Sequence, residues 1–196
     1  MSFGRAEAES FFSPLVGKST TFMVKSRGEN LALARLILSA VSAIGATCTI
    51  LDVDALYSSN PDATLSGMTW RTAARTTVVV PEPGGAMEVE VARLSSCESS
   101  VVVVDSLNSL YHLFEGEDTR SRKLSFGVAA LTYSSRASGK ATILTAYGRK
   151  TPHSSGRSIS DLSDCTVLVR AAGHDILLKC VRGSLWSGGT LSLRGP

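Results

Sequence analysis

The sequence predicts an α/β protein, with a mainly parallel central sheet flanked by helices and antiparallel strands at its C-terminal edge. Three observations carry this. Val101-Val102-Val103-Val104-Asp105 is a run of four β-branched residues ending in an acid, the pattern of a strand buried on both faces within a parallel sheet. Strand-length apolar runs alternate with runs of helical period between residues 20 and 146, which implies right-handed parallel crossovers. Three short-linked runs at 165–170, 175–181 and 190–193 then read as an antiparallel edge.

Each element has its own signal. Residues 20–24 read as a first strand and 25–28 as a polar turn. Residues 29–44 carry Leu31, Leu33, Ala34, Leu36, Ile37, Leu38, Val41 and Ile44 as a broad helical stripe, stopped by Gly45. Residues 46–53 and 76–80 are further strands, the latter closed by Pro81-Glu82-Pro83-Gly84-Gly85. Residues 86–95 read as a helix despite β-branched Val89 and Val91. After the 101–105 strand, residues 120–138 form a long helix ended by Gly139, and residues 141–146 form a fifth strand. The whole of 1–196 reads as one domain, with residues 1–14 as an N-terminal extension.

Composition narrows the function classes. A hydrophobic content of 43% over 196 residues suits a folded core and excludes disorder. The apolar runs are too short to cross a membrane, and the N-terminus lacks a basic segment followed by an apolar core. A cytoplasmic protein without a membrane partner is the expectation. The net charge of +3 is compatible with nucleic acid without arguing for it. Cys48, Cys97, Cys165 and Cys180 lie far apart, with no CxxC pair, and no metal or redox role is expected of them. His112, His153 and His174 are scattered, and no Ser/His/Asp order stands out.

Asp105 sits at the C-terminal end of its strand, where open α/β sheets place their ligands. A Walker B aspartate, which holds nucleotide-bound Mg²⁺, occupies such a place. Its partner motif is not found. Gly17-Lys18-Ser19-Thr20 has the residues of a phosphate loop but precedes a strand, and the required upstream glycine position is Phe12. The mechanically correct turn reads Lys25-Ser26-Arg27-Gly28-Glu29-Asn30, with one glycine and no Lys-Ser/Thr pair. Glu29 there suits a helix N-terminus but repels phosphate. Lys25 and Arg27 are the weak candidates for phosphate contact. Asp105 has a structural alternative, capping the next segment through its carboxylate.

The order strand, turn, helix, strand, together with Val-Val-Val-Val-Asp-Ser-Leu, resembles the RecA/RadA/KaiC superfamily, whose core is a P-loop NTPase fold. The resemblance spans about residues 15–193, and Ser135-Arg136-Ala137-Ser138-Gly139-Lys140 with Ala141-Thr142-Ile143-Leu144-Thr145-Ala146-Tyr147 is similar to the family's helix and following strand. It implies that Asp54, in Asp52-Val53-Asp54, falls near the family's catalytic glutamate, and that Asp105 is a vestigial metal ligand. With Walker A degenerate, it points to a non-catalytic paralogue holding neither ATP nor Mg²⁺. It further implies two DNA-contacting loops. The first contains Arg120, Arg122 and Lys123; the second contains Arg149, Lys150 and Arg157.

Three functions compete. The leading one is an accessory factor in DNA recombination or repair that binds DNA or docks on an active RecA/RadA-type recombinase. The second is an atypical ATPase using Lys25 or Arg27 on phosphate, Asp105 on Mg²⁺ and Asp54 on water. The third is a KaiC-like regulatory interaction module without nucleic acid. Self-association into a homo-oligomer fits all three.

Overall fold

The computed structural model describes residues 4–65, 68–82, 85–148, 159–173 and 175–194. Helix α1 (Arg5–Phe12) leads through a short 3₁₀ turn into strand β1 (Lys18–Val24). There follow α2 (Arg27–Ile44), β2 (Cys48–Asp52), the short helices α3 (Pro61–Leu65) and α4 (Trp70–Ala73), and β3 (Thr76–Val79). Then come α5 (Met87–Ser96), β4 (Val101–Asp105), α6 (Leu107–Leu113), α7 (Arg120–Ser138) and β5 (Ala141–Tyr147). Strands β6 (Cys165–Ala172), β7 (Asp175–Arg182) and β8 (Thr190–Arg194) complete the chain.

One eight-stranded sheet runs in the order β3-β2-β4-β5-β1-β6-β7-β8. Every pairing from β3 to β6 is parallel, and β6–β7 and β7–β8 are antiparallel. The antiparallel edge is therefore β7 and β8, while β6 belongs to both parts because it pairs parallel with β1. Strand β4 is buried at all five positions, as its unbroken valine run requires of a strand covered on both faces. Helices cover the sheet from two sides. On one, Phe11, Phe12 and Leu15 pack with the α2 stripe of Leu33, Leu36, Ile37 and Val41. On the other, α5, α6 and α7 supply Val91, Leu94, Leu107, Leu110, Leu124, Val128 and Leu131. The segment read as an N-terminal extension thus contributes Ala8, Phe11 and Phe12 to the core as α1.

Local signals place the helix ends. Gly45 and Gly139 take left-handed conformations (φ +67° in both) and close α2 and α7, where a side chain would be strained. Residues Lys18, Ser19 and Thr20 lie inside β1, so the Gly-Lys-Ser-Thr run stands on a strand and not on a strand-to-helix turn. Helix α6 has its own cap, Ser106, whose hydroxyl accepts from the Ser109 N–H. The Asp105 carboxylate is therefore not the cap of the next segment. No described helix is long and apolar enough to cross a membrane.

Candidate functional site

Strand β4 hands over to α6 on one face of the sheet and β1 to α2 on the other, with β5 between them. That reversal opens a crevice at the carboxyl ends of the strands, the place where such sheets take ligands. An open cleft of about 260 Å³ occupies it, lined by Arg27, Asp54, Leu56, Ser109 and Tyr147. Arg27 opens α2, Asp54 follows β2, Ser109 lies on α6 and Tyr147 ends β5.

Asp105, at the carboxyl end of β4, is not itself among the lining residues. It has no solvent exposure. Its Oδ1 accepts from Asn30 Nδ2 at 2.9 Å and from the Thr145 hydroxyl, while Oδ2 is buried without a hydrogen-bond partner. Burial pushes its carboxyl up to about 6, and the charges of Asp54 and Asp52 add to that rise; the hydrogen bonds from Thr145 and Asn30 oppose it. Its backbone carbonyl receives the N–H groups of Val53 (2.7 Å) and Asp54 (3.0 Å), which pins the loop after β2 to the end of β4. Asp54 has a buried Oδ2 that likewise lacks a partner.

Asp52 and Asp105 stand opposite each other in the β2–β4 register, yet their roles differ. Asp52 Oδ1 accepts from Leu56 N–H (2.8 Å) and Oδ2 from Ser58 N–H (2.7 Å), with Tyr57 N–H shared between them at 3.2 Å. Three backbone donors saturate it, so it shapes the loop that carries Asp54. Tyr57 is driven well above the ordinary phenol value by burial first, then by the nearby carboxylates.

The turn after β1 is closed on itself. Two residues, Lys25 and Ser26, separate β1 from α2. Ser26 Oγ accepts from Glu29 N–H (3.2 Å), and Glu29 Oε2 accepts from Lys25 N–H (2.6 Å). The helix N-terminus is thus capped by its own hydroxyl and carboxylate. Arg170 adds a looser contact to Glu29 at 3.7 Å. Lys25 is exposed and Arg27 reaches the cleft.

Of the predicted site residues, Arg27, Asp54 and Asp105 come together. Arg120, Arg122 and Lys123 do not join them. They open α7, where Arg120 Nε donates to Phe114 O (2.9 Å), Lys123 pairs with Glu88 (2.6 Å) and Arg122 is exposed. Arg149, Lys150 and Arg157 lie outside the described residues, as do His153 and His174. Among the described residues, no cluster of three or more His, Cys, Asp or Glu is arranged to hold a metal ion. Asn30, Thr145 and Tyr147 were not anticipated. Asn30 had one legible signal, an amide inside an apolar helical stripe. Its Nδ2 also reaches Tyr147 OH at 3.3 Å, linking α2, β4 and β5.

No family sequence model and no curated protein matches this chain. Among solved structures, the crystal structure of the RadB recombinase superposes with a TM-score of 0.70 at 14% identity, covering 95% of this chain and 93% of that one. The chain therefore has a RecA-like fold, shared with that recombinase across almost its entire length.

Proposed function

We propose that this protein is a RecA-like paralogue without a functional phosphate loop. It serves DNA recombination and repair as an accessory factor that binds DNA or docks on an active recombinase, and it does not hydrolyse ATP. The closed turn between β1 and α2 carries the reading. A phosphate cradle needs several backbone N–H groups of a glycine-rich loop aimed at the ligand. Here two residues make the connection, and the Lys25 and Glu29 N–H groups are already taken by Glu29 and Ser26. The Glu29 carboxylate occupies the positive end of the α2 dipole that a phosphate would use. The residues present do not fit a nucleoside triphosphate. The shared recombinase fold supplies the field of action, and the basic Arg149, Lys150 and Arg157 loop supplies the DNA contact.

One observation favours a second reading. The orphaned Oδ2 atoms of Asp54 and Asp105 lie beside a cleft that Arg27 lines, a charge arrangement compatible with an atypical ATPase. Phosphate release with ATP and Mg²⁺, with and without DNA, separates the two. The accessory reading expects no turnover. Turnover that disappears in both Asp105→Ala and Arg27→Ala would establish the ATPase.

A further inference from the structure

The positive charge of the chain is concentrated at one end. Residues 1–147 hold one more acid than cation, whereas seven cations face three acids from Gly148 onward. Three of the seven are Arg149, Lys150 and Arg157, which lie outside the described residues. The other four are Arg170, Lys179, Arg182 and Arg194, on β6, β7 and β8.

Register puts these four on one face of the sheet. Residues opposite each other in a ladder share a face, and faces alternate along a strand. Arg170 stands opposite Leu177, Lys179 opposite Leu168, Arg182 opposite Thr166 and Arg194 opposite Asp175. The alternate residues Val167, Val169, Ile176, Leu178 and Leu193 fill the core beneath α2. The four cations therefore point to the other side. There α7 packs over β1 and β5, and Leu177 on β7 is left 41% exposed.

Two cations of this face have partners. Arg182 donates to Thr166 Oγ1 (3.2 Å) and the Ser163 carbonyl and lies 3.9 Å from the Asp161 carboxylate, and Arg170 makes the loose contact to Glu29. Lys179 and Arg194 are exposed and enter no ion pair among the described residues. Between the cations lie Leu168 and Leu177, with exposed Thr190 and Ser192 beside them. Diagonal neighbours such as Arg170 and Lys179 are roughly 7–8 Å apart in such a ladder. Separated cations with aliphatic and hydroxyl side chains between them suit a polymer of phosphates joined by apolar sugars. Asp175 is the acid at the ladder positions of this face.

We propose that this face of β6–β7–β8, which no α-helix covers among the described residues, binds the sugar–phosphate backbone of DNA, with Lys179, Arg194 and Arg170 as the phosphate contacts. The inference rests on the DNA-binding reading above, and it places a contact surface on the sheet besides the basic loop. The test is fluorescence anisotropy of the full-length protein with a labelled oligo-dT and a labelled duplex, across salt from about 50 to about 200 mM. Three proteins are compared: wild type, a Lys179→Gln/Arg194→Gln double variant, and an Arg149→Ala/Lys150→Ala/Arg157→Ala loop variant. Melting temperatures confirm that each is folded. The sheet variant is expected to lose about two units of the salt slope on duplex and on the order of a hundred-fold in affinity near 50 mM salt. Wild-type affinity and slope in the sheet variant, with binding lost in the loop variant, would overturn the sheet-face site and leave the DNA reading standing. No binding by wild type at low salt would overturn both. Equal affinity for an acidic polypeptide such as poly-glutamate would replace DNA by a protein partner.

Discussion

Replacing Asp105 by Asn should stabilise the protein at neutral pH and remove a defined part of its pH dependence. Burial raises the Asp105 carboxyl from 3.8 to about 6 in the folded state. The folded chain then holds a proton more tightly than the unfolded one. Stability from this group is fully present below about pH 4 and is lost as pH rises through about 6. A rise of about two pH units corresponds to roughly 3 kcal/mol held against the ionised form at neutral pH. Asn keeps an acceptor for Asn30 and Thr145 and carries no charge. Its Nδ2 replaces the unpartnered Oδ2 and leaves a buried donor, which costs about 1–3 kcal/mol. The expected net gain is up to about 2 kcal/mol near pH 7, or up to roughly 8 °C in Tm for a chain of this size. Other carboxylates titrate in the opposite sense. Glu88 is held low by Lys123, and Asp164 is held low by Ser19 N–H and Arg136 against the opposing effect of burial, so their stabilisation falls as pH drops. The assay is therefore urea unfolding of both proteins between about pH 4 and about 7.5, read as the difference between them. That difference should grow in favour of Asn as pH rises. A constant difference, or a variant less stable than wild type at pH 7, would refute a carboxylate held under strain by burial.

Two further substitutions probe the frame around the cleft. Asp52→Ala strips the acceptor from the Leu56, Tyr57 and Ser58 N–H groups and should cost about 3 kcal/mol in denaturant unfolding. Amide exchange at those three residues should rise more than at β4, and equal exchange would mean that the loop holds itself. Lys140→Met removes a buried ammonium that donates to the carbonyls of Ser95 (3.1 Å) and Cys97 at the C-terminal end of α5. A loss of about 2 kcal/mol in urea unfolding is expected, and an unchanged midpoint would show those carbonyls to be hydrated instead.

The parallel sheet was legible because its signals are dense. The valine run at 101–104 has no other stable home than a doubly covered strand, and Gly45 and Gly139 mark real helix ends. The turn at residues 25–29 was legible too, since Ser26 and Glu29 are capping residues by chemistry. Other elements were not. Helix α6 has seven residues, and its cap, Ser106, follows the acid that draws attention to itself. The parallel pairing of β6 with β1 is a long-range choice that local pattern does not encode. The surroundings of Asp105 are equally non-local. Asn30 and Thr145 lie 75 and 40 positions from Asp105, and only folding reveals that they satisfy its Oδ1.

Charge is divided across the molecule, and on the proposed DNA-binding reading that division constrains how DNA would approach it. The crevice gathers Asp52, Asp54 and Asp105, while the sheet extension presents Arg170, Lys179 and Arg194 on one face. Near 0.1 M salt the screening length is about 10 Å, so each patch acts over the span of two or three strands. A polyanion is repelled from the strand ends at β2 and β4 and attracted two strands beyond β1. On the DNA-binding reading proposed above, the anionic crevice and the cationic face are separate sites. Asp54→Asn/Asp105→Asn should therefore raise DNA affinity only modestly, by about two-fold, and leave the salt slope unchanged, because no phosphate contact is gained. A large gain, or a steeper slope, would show that DNA reaches the crevice itself and would move the contact surface there.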